Sequence, residues 1–164
     1  MKIAILSDTH AKKHNDKLFK LIDNLAEEAD MIIHAGDYVS PSVVSKLREQ
    51  KNFVGVWGNN DKRYIRDLLK DKVILSIEGY RIGIYHGHGN SKNTLTTAYD
   101  KFIDDKVDII IFGHTHQPIV LTKDKVLMIN PGSPTYKRRE PWYSYVILVI
   151  QNKKIDVQIK FFNW

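Results

Sequence analysis

Apolar residues recur with two different spacings in the first part of the chain. A continuous apolar run predicts a buried strand at 2–7, and Leu18, Ile22 and Leu25 recur at helical spacing in a predicted helix at 15–29. The same reasoning predicts a strand at 30–35, a helix that starts at Ser40-Pro41, a strand at 53–57 and a helix at 61–70. This alternation is typical of a parallel sheet covered by helices.

The second half of the chain adds more strands. A Glu78-Gly79-Tyr80 turn predicts a hairpin between strands at 73–77 and 81–85. A helix follows at 92–105, with one apolar face made of Leu95, Ala98, Phe102 and Ile103. Further strands are predicted at 108–112, 119–122, 125–129, 143–150 and 154–162, the last with alternating Ile155, Val157, Ile159 and Phe161. The expected fold is α/β, with two packed sheets and helices outside, in one domain over residues 1–164.

Polar side chains with metal-ligand chemistry follow five of the predicted strands. The five blocks, with the glycines that accompany these side chains, are Asp8 and His10, Gly36 and Asp37, Gly58 to Asp61, His86 and His88, and Gly113, His114 and His116. Ligands bind open α/β sheets at the carboxyl ends of the strands, so parallel strands would gather these loops at one edge. Each piece alone is also consistent with ordinary turn chemistry. By contrast, we expect His14 to be solvated and His34 to be a packed, hydrogen-bonded histidine.

The donor types favour a pair of divalent ions. The chain has no cysteine, which excludes disulfides, thiolate zinc sites and a cysteine nucleophile. Imidazole, carboxylate and amide donors suit Mn, Fe, Co, Ni or Zn. Seven such donors are too many for one tetrahedral zinc and suit two ions that share one group. Two ions can clamp a phosphoryl group, and a hydroxide that bridges them would be the nucleophile.

Composition and charge narrow the choice of location and partner. The 164 residues are 43% hydrophobic and 27% charged, without an apolar run long enough for a membrane span or a signal-peptide pattern, so we expect a cytoplasmic globular protein. The net charge is +6, of which +5 lies in residues 120–164. This charge is consistent either with attraction of phosphate-bearing ligands or with an ordinary lysine-rich surface. No helix-turn-helix or aromatic-basic platform supports nucleic-acid binding.

The strand-end blocks together resemble the calcineurin-like metallophosphoesterase family. They are Asp8-Thr9-His10, Gly36-Asp37, Gly58-Asn59-Asn60-Asp61, His86-Gly87-His88 and Gly113-His114-Thr115-His116. The later Asn130-Pro131-Gly132-Ser133 is similar to the small YfcE-type phosphodiesterase branch, and the match is close to an archaeal member. The resemblance implies a four-layer αββα sandwich of two mixed sheets and hydrolysis of phosphodiesters or phosphomonoesters.

The resemblance also implies a role for each ligand. Asp8, His10 and His116 would hold the first metal, and Asn59, His86 and His114 the second. Asp37 would bridge the two ions, which we expect to be Mn or Ni, with Fe, Zn or Co as alternatives. A small phosphoester would be the substrate, and a homodimer is suggested by family analogy alone.

One position departs from the family pattern. Many members have a histidine, thought to protonate the leaving group, where this chain has Asn60, and an amide gives up no proton at neutral pH. His88 is then a candidate acid, or else a residue that orients a metal ligand. Asp61 is expected to be an orienting carboxylate or a helix cap.

Two features outside the five blocks have open interpretations. The Tyr136-Lys137-Arg138-Arg139 stretch is either a rim that binds substrate phosphate or an exposed loop, and Asn130 and Ser133 either line the site or form a turn. A scaffold similar to the retromer subunit of this fold is the alternative to an enzyme. A site that has lost its catalytic function tends to lose metal ligands, whereas all seven predicted ligands are present here.

Overall fold

The chain forms two five-stranded sheets that pack face to face, with helices on their outer faces. The computed structural model describes residues 1–12, 14–50, 52–89 and 93–164. The elements are β1 (Lys2–Leu6), α1 (Asp16–Glu28), β2 (Met31–His34), α2 (Pro41–Arg48), β3 (Phe53–Gly55), α3 (Arg63–Arg66), β4 (Lys72–Ile77), β5 (Tyr80–Tyr85), α4 (Thr94–Asp100), β6 (Ile109–Ile111), β7 (Ile119–Lys123), β8 (Val126–Asn130), β9 (Tyr143–Gln151) and β10 (Lys154–Phe162).

Both sheets place parallel strands at their centre. The first has the order β10-β9-β1-β2-β3, with β1, β2 and β3 parallel and β9 antiparallel to β1. The second has the order β4-β5-β6-β8-β7, with β5, β6 and β8 parallel. The predicted mixed sheets are therefore confirmed, and the parallel strands direct their carboxyl ends to one edge of each sheet.

Alternation along each central strand divides the core into layers. In β1, Ile3 and Ile5 belong to the cluster between the sheets, whereas Ala4 and Leu6 pack under α1 and α2. On the outer face of the second sheet, Phe102 and Ile110 belong to a third cluster. Apolar burial on both faces explains why these strands are continuous apolar runs in the sequence. The four-layer αββα architecture is confirmed.

Side-chain caps start α1 and α2, and the cap of α2 is the predicted one. The Asn15 side chain accepts from the backbone N–H of Leu18 at 3.0 Å and starts α1. Ser40 caps α2 by accepting from the N–H of Ser42, with Pro41 at the first helical position. Within the described ranges, none of the helices is long and apolar enough to cross a membrane.

The predicted helix at 61–70 is wrong in length, because only the single turn α3 forms. The chain returns to the edge of the first sheet after this turn. There Lys70 pairs with Val56, and its carbonyl accepts from the N–H of Trp57 at 3.1 Å. A longer helix would prevent this extended pairing.

The predicted apolar faces fail at two residues. The helix predicted at 92–105 ends at Asp100, and position 92 lies outside the described residues. Turns with three-residue spacing follow, such as Ile103 N to Asp100 O at 3.3 Å, and they rotate Ile103 outward to 62% exposure. Phe161 continues the alternation of β10 but is 55% exposed.

Candidate metal centre

The two sheets meet at the edge that carries the strand-end loops. The backbone N–H of Asp8 donates to Gly36 O at 2.9 Å, which extends the pairing of β1 and β2 beyond the strands. The N–H of His114 donates to Asp8 Oδ2 at 2.8 Å, and His86 Nδ1 lies 2.7 Å from Ala35 O. Loops from both sheets therefore converge, as the strand-end pattern predicts.

Asp8, His10 and His116 form the first group of ligand atoms. Asp8 Oδ1 lies 3.3 Å from His116 Nε2 and 3.7 Å from His10 Nε2. The two imidazole rings are stacked, with centroids 4.9 Å apart. These ligand atoms all lie within 4.8 Å of one another, close enough to surround one ion.

The second group surrounds His86. Its Nε2 lies 3.3 Å from Asp37 Oδ2 and 3.9 Å from Asp8 Oδ1, and these atoms also lie within 4.8 Å of one another. His114 Nδ1 lies 2.9 Å from Asn59 Oδ1, and the His86 and His114 rings meet edge to face at 5.3 Å. All seven predicted ligands thus gather in one place.

Two carboxylates lie between the groups. Asp8 belongs to both clusters, although its distances to them are unequal. Asp37 Oδ2 lies 3.3 Å from His10 Nε2 in the first group and 3.3 Å from His86 Nε2 in the second. The symmetric position of Asp37 fits the shared carboxylate better, while Asp8 lies nearer His116.

The ligand atoms have the pattern of a cation site. Asp8 Oδ1 and the Nε2 atoms of His10, His86 and His116 are buried, and none of these four atoms has a hydrogen-bond partner among the described residues. Two atoms bound about 2.1 Å from one ion lie about 3.0–3.4 Å apart, which matches the shorter distances here. Because buried polar atoms without a hydrogen bond are costly, the donor set fits divalent ions.

The carboxylates carry negative charge despite their burial. Desolvation opposes the charge on Asp8, but His86, His10 and His116 hold the pKa of Asp8 well below its usual value. Burial likewise opposes the charge on Asp37, yet His86 and the Asn60 side chain lower the pKa of Asp37 to about 2. The centre is therefore preset to hold cations.

Backbone carbonyls orient two of the histidines. Ala35 O faces His86 Nδ1, and Tyr136 O faces His116 Nδ1, which leaves each Nε2 directed at the centre. The Ser7 hydroxyl donates to Asp8 Oδ2 at 2.7 Å. The two carbonyls could not be predicted from the sequence, since a backbone carbonyl carries no residue-specific signal.

Five of the seven predicted ligands have left-handed backbone conformations. Positive φ angles occur at Asp8 (55°), His10 (41°), Asp37 (63°), His114 (74°) and His116 (64°). Such conformations cost non-glycine residues about 1–3 kcal/mol each and cluster at functional sites. This strain supports a binding role for the loops.

Gly58 permits a close approach at the shared carboxylate. A Cβ atom at this position would collide with the carboxylate of Asp37 and lie 2.5 Å from its backbone nitrogen. The loop after β3 can therefore reach Asp37 only with glycine here.

Asn60 and Asp61 hold the Asp37 loop in place through hydrogen bonds. Asn60 donates from its backbone N–H to Asp37 Oδ1 at 2.8 Å and from Nδ2 to Asp37 Oδ2 at 2.6 Å. Asp61 is buried and accepts from the N–H groups of Asp37, Val39 and Gly58 at 2.8–3.0 Å. Burial raises the pKa of Asp61, although these donors oppose the rise. Asp61 does not cap α3, because the residue at that position is Lys62.

His88 is half-buried beside the centre. Its ring packs against Trp57 and Tyr85, with centroids 4.8 and 5.0 Å away, and its Nε2 lies 3.6 Å from Asp71 Oδ1. Burial and the charge of His86 lower the pKa of His88 to about 4. Its ring connects the strand ends that lead to Asn59 and His86.

Asn130 and Ser133 support the site through hydrogen bonds, whereas His34 and His14 lie outside it. Asn130 Nδ2 donates to Gly113 O at 2.9 Å, and Ser133 Oγ donates to Asp8 O at 2.8 Å. His34 is buried, stacks on Tyr38 and lies 3.2 Å from Thr9 Oγ1, so its predicted packed role is confirmed. His14 is largely exposed beside Asp16, as predicted.

Comparisons with known proteins agree with this geometry. Residues 1–153 match the calcineurin-like phosphoesterase superfamily domain. The chain belongs to this superfamily. A phosphodiesterase of Methanocaldococcus jannaschii is 32% identical over 143 residues, which cover 80% of this chain and 83% of the relative. The predicted metallophosphoesterase family is therefore confirmed.

Solved structures show the same metallophosphoesterase fold. A structure described as that of a novel archaeal phosphodiesterase has a TM-score of 0.75 and 26% identity, and covers 98% of this chain and 100% of that one. A Vps29 variant from Entamoeba histolytica has a TM-score of 0.74 at 21% identity, and covers 99% of this chain and 100% of that one. The second likeness concerns the fold alone.

The phosphoesterase without metal should lose stability at alkaline pH. Burial lowers the pKa of His86, but Asp8 and Asp37 outweigh it and raise this pKa from 6.5 to about 9. The stabilisation by protonated His86 is complete below pH 6.5 and is lost as the pH rises through 9. We expect the free energy of unfolding to fall by about 3 kcal/mol across this window.

Denaturant titrations in chelator at several pH values would measure this fall. His86→Gln should remove it, whereas His14→Gln should leave it unchanged. Bound metal should also remove it, since His86 would then be a neutral ligand. An equal fall in His86→Gln would contradict the assignment.

Proposed function

We propose that this chain hydrolyses phosphodiesters with two divalent ions held at the converging loops. The observation that carries the proposal is a set of four buried ligand atoms that have no hydrogen-bond partner among the described residues. They belong to Asp8, His10, His86 and His116. Asp8, His10 and His116 would hold the first ion, and Asn59, His86 and His114 the second. Asp37 would be shared between them.

The donor set favours Mn or Ni, with Fe, Zn and Co as alternatives. When bound, such ions polarise a phosphoryl oxygen and lower the pKa of a shared water. The chain's own residues hold this arrangement rigid: Asn60 fixes both oxygens of Asp37, and Asp61 fixes the loop around them.

The position from which many family members are thought to protonate the leaving group is occupied here by Asn60. The Asn60 amide donates to Asp37 and has no proton to give up at neutral pH. General acid catalysis typically contributes about 10²- to 10⁴-fold, so substrates with poor leaving groups should react slowly.

We propose that His88 positions the metal loops. Its ring is held between Trp57 and Tyr85, which lead into Asn59 and His86. His88→Ala should lower kcat/KM by about 10- to 100-fold, as for other residues that orient ligands. The loss should be equal for good and poor leaving groups, and His88→Phe should restore most of the rate by keeping the ring. Rates with a series of aryl phosphodiesters measure this, and a loss confined to poor leaving groups in both variants would show an acid instead.

A substrate and metal panel tests the proposed function. Phosphomonoesters, phosphodiesters and cyclic nucleotides would each be assayed with Mn, Ni, Mg, Zn and chelator, alongside elemental analysis of the purified chain. We expect two ions per chain, hydrolysis of diesters above monoesters, and complete loss in chelator. Fewer than one ion per chain without metal-stimulated activity would instead favour the scaffold. The cytoplasmic location, the single domain over 1–164 and the homodimer stay predictions.

A further inference from the structure

The strand β10 forms an open edge of the first sheet. The sheet order ends at β10, which among the described residues pairs with β9 on one side only. All nine residues of β10 are aligned with residues of β9, so the strand is long and free of bulges. Natural edge strands are usually short, covered or bulged, because an open edge can pair with a further strand.

The turn before β10 determines which of its backbone groups face outward. Asn152 and Lys153 form a two-residue turn with φ angles of 52° and 61°, so Gln151 and Lys154 make a hydrogen-bonded pair. Hydrogen-bonded and non-hydrogen-bonded pairs alternate along an antiparallel ladder, so the even-numbered residues of β10 bond to β9. The N–H and C=O groups of the odd-numbered residues therefore point to the open edge.

The two faces of β10 differ in character. The face towards the second sheet is apolar and carries the side chains of Ile155, Val157, Ile159 and Phe161. The first three pack against the cluster between the sheets, whereas Phe161 is 55% exposed. The opposite face is polar and exposed, and it carries Lys154, Asp156, Gln158 and Lys160.

The charges on the polar face are complementary to those of a second copy of the strand. If two copies pair antiparallel with Gln158 opposite Gln158, all nine residues overlap, and Asp156 of each copy lies opposite Lys160 of the other. Opposite charges at such cross-strand positions attract. Within the described ranges, neither Asp156 nor Lys160 belongs to an ion pair, and each is hydrogen-bonded to the Gln158 side chain, at 2.6 and 2.8 Å.

This register also matches the backbone and the apolar face. It sets odd-numbered residues opposite odd-numbered residues, so the free N–H and C=O groups of the two copies meet. Val157 lies opposite Ile159, and the exposed Phe161 lies opposite Ile155 of the second copy. Phe161, which the apolar alternation predicts to be covered, thereby gains an apolar neighbour.

Sliding one copy by two residues in either direction destroys the match. In one direction Lys154 lies opposite Lys160, and like charges at such positions repel. In the other direction Asp156 lies opposite Phe162. Both alternatives lose the two Asp156–Lys160 pairs, so the sequence of β10 specifies one register.

We propose that two copies of this chain associate through β10, which joins their first sheets into one continuous sheet with Gln158 at the two-fold axis. Antiparallel pairing reverses the strand direction between the copies, so the two metal centres lie at opposite edges of the joined sheet. Each copy keeps its own ligands, and the association is independent of the proposed hydrolysis.

Sedimentation velocity over a wide range of chain concentrations tests the association. The parent should show an equilibrium between monomer and dimer. Lys160→Glu sets like charges opposite each other at two places, so we expect the dissociation constant to rise about 10- to 30-fold. Asp156→Lys combined with Lys160→Glu reverses both pairs and should restore the constant to within about threefold of the parent.

The matched control is Lys106→Glu, which makes the same charge change at an exposed residue between α4 and β6. It should dimerise like the parent. Circular dichroism would establish that every variant is folded.

Hydrogen exchange locates the contact. The amides of Val157 and Ile159 point to the open edge, so they should be protected in the dimer and exchange faster on dilution. The amide of Gln158 bonds to β9 and should stay protected at both concentrations.

A parent that remains monomeric at millimolar concentration would overturn the proposal, and so would a dimer that Lys160→Glu leaves intact. A dimer that Lys160→Glu weakens, but that the reversed pair does not restore, would overturn the pairing of Asp156 with Lys160 on which the proposal depends. Hydrolysis per chain should be equal in the parent and Lys160→Glu, and absence of phosphoester hydrolysis in both would overturn the proposed function alone.

Discussion

Replacing Asp37 with asparagine is expected to abolish hydrolysis and to prevent full metal loading. Asp37 Oδ2 lies 3.3 Å from histidines of both ligand groups, and an amide at this position can neither carry charge nor serve two cations. The loss in kcat/KM should exceed the roughly 10- to 100-fold that is typical of residues that only orient ligands. Elemental analysis should find fewer than two ions per chain, and an activated phosphodiester assayed with added Mn or Ni measures the rate.

The matched control for this substitution is Asp104→Asn. Asp104 is an exposed carboxylate in the turns between α4 and β6, whereas the ligand loops follow the carboxyl ends of the strands. Its replacement by asparagine changes the net charge by the same amount. It should keep the parent's metal content and rate. Circular dichroism would establish that Asp37→Asn is folded. A folded Asp37→Asn that hydrolyses the diester at the parent rate would exclude Asp37 as the shared carboxylate.

The ligand set could be predicted from the sequence because ligands bind α/β sheets at the carboxyl ends of the strands. Asp8, Asp37, His86 and His114 are at least 28 residues apart along the chain. Each nevertheless follows a strand that runs parallel to at least one neighbour. Parallel strands fix where the following residue is placed, whatever the loop does afterwards. Hydrophobic continuity identified those strands, so the location of the centre followed from packing.

The internal geometry of the centre had no such signal. The left-handed φ of His116 and the carbonyls of Ala35 and Tyr136 that orient two histidines are backbone properties, set by how the loops meet. The same limit applies to Ile103 and Phe161, which follow the apolar pattern but are 62% and 55% exposed. A hydrophobic pattern indicates on which face of a helix or strand a residue lies. Whether that residue is buried depends on the element that packs against this face.

Replacing Asp61 with alanine should have the largest effect on stability. Its carboxylate accepts three backbone N–H groups, from Asp37, Val39 and Gly58, at the junction of two ligand loops. Each buried donor left unpaired costs about 1–3 kcal/mol, and relief of the buried charge offsets part of this, so we expect a loss of about 3 kcal/mol in the free energy of unfolding. That corresponds to a fall of about 10 °C in Tm for a chain of this size.

Asp61→Asn separates the hydrogen bonds of Asp61 from its charge. The amide oxygen can still accept two of the three donors, so the asparagine variant should lose less than half as much stability as alanine. Denaturant unfolding with chelator and with metal should show the same order, and the alanine variant should also bind metal more weakly, because Asp37 would no longer be held. If alanine and asparagine both unfold like the parent while hydrolysis is lost, Asp61 acts on the substrate and not on the loops. That result would mean that Asp61 takes part in the reaction and does not stabilise the ligand loops.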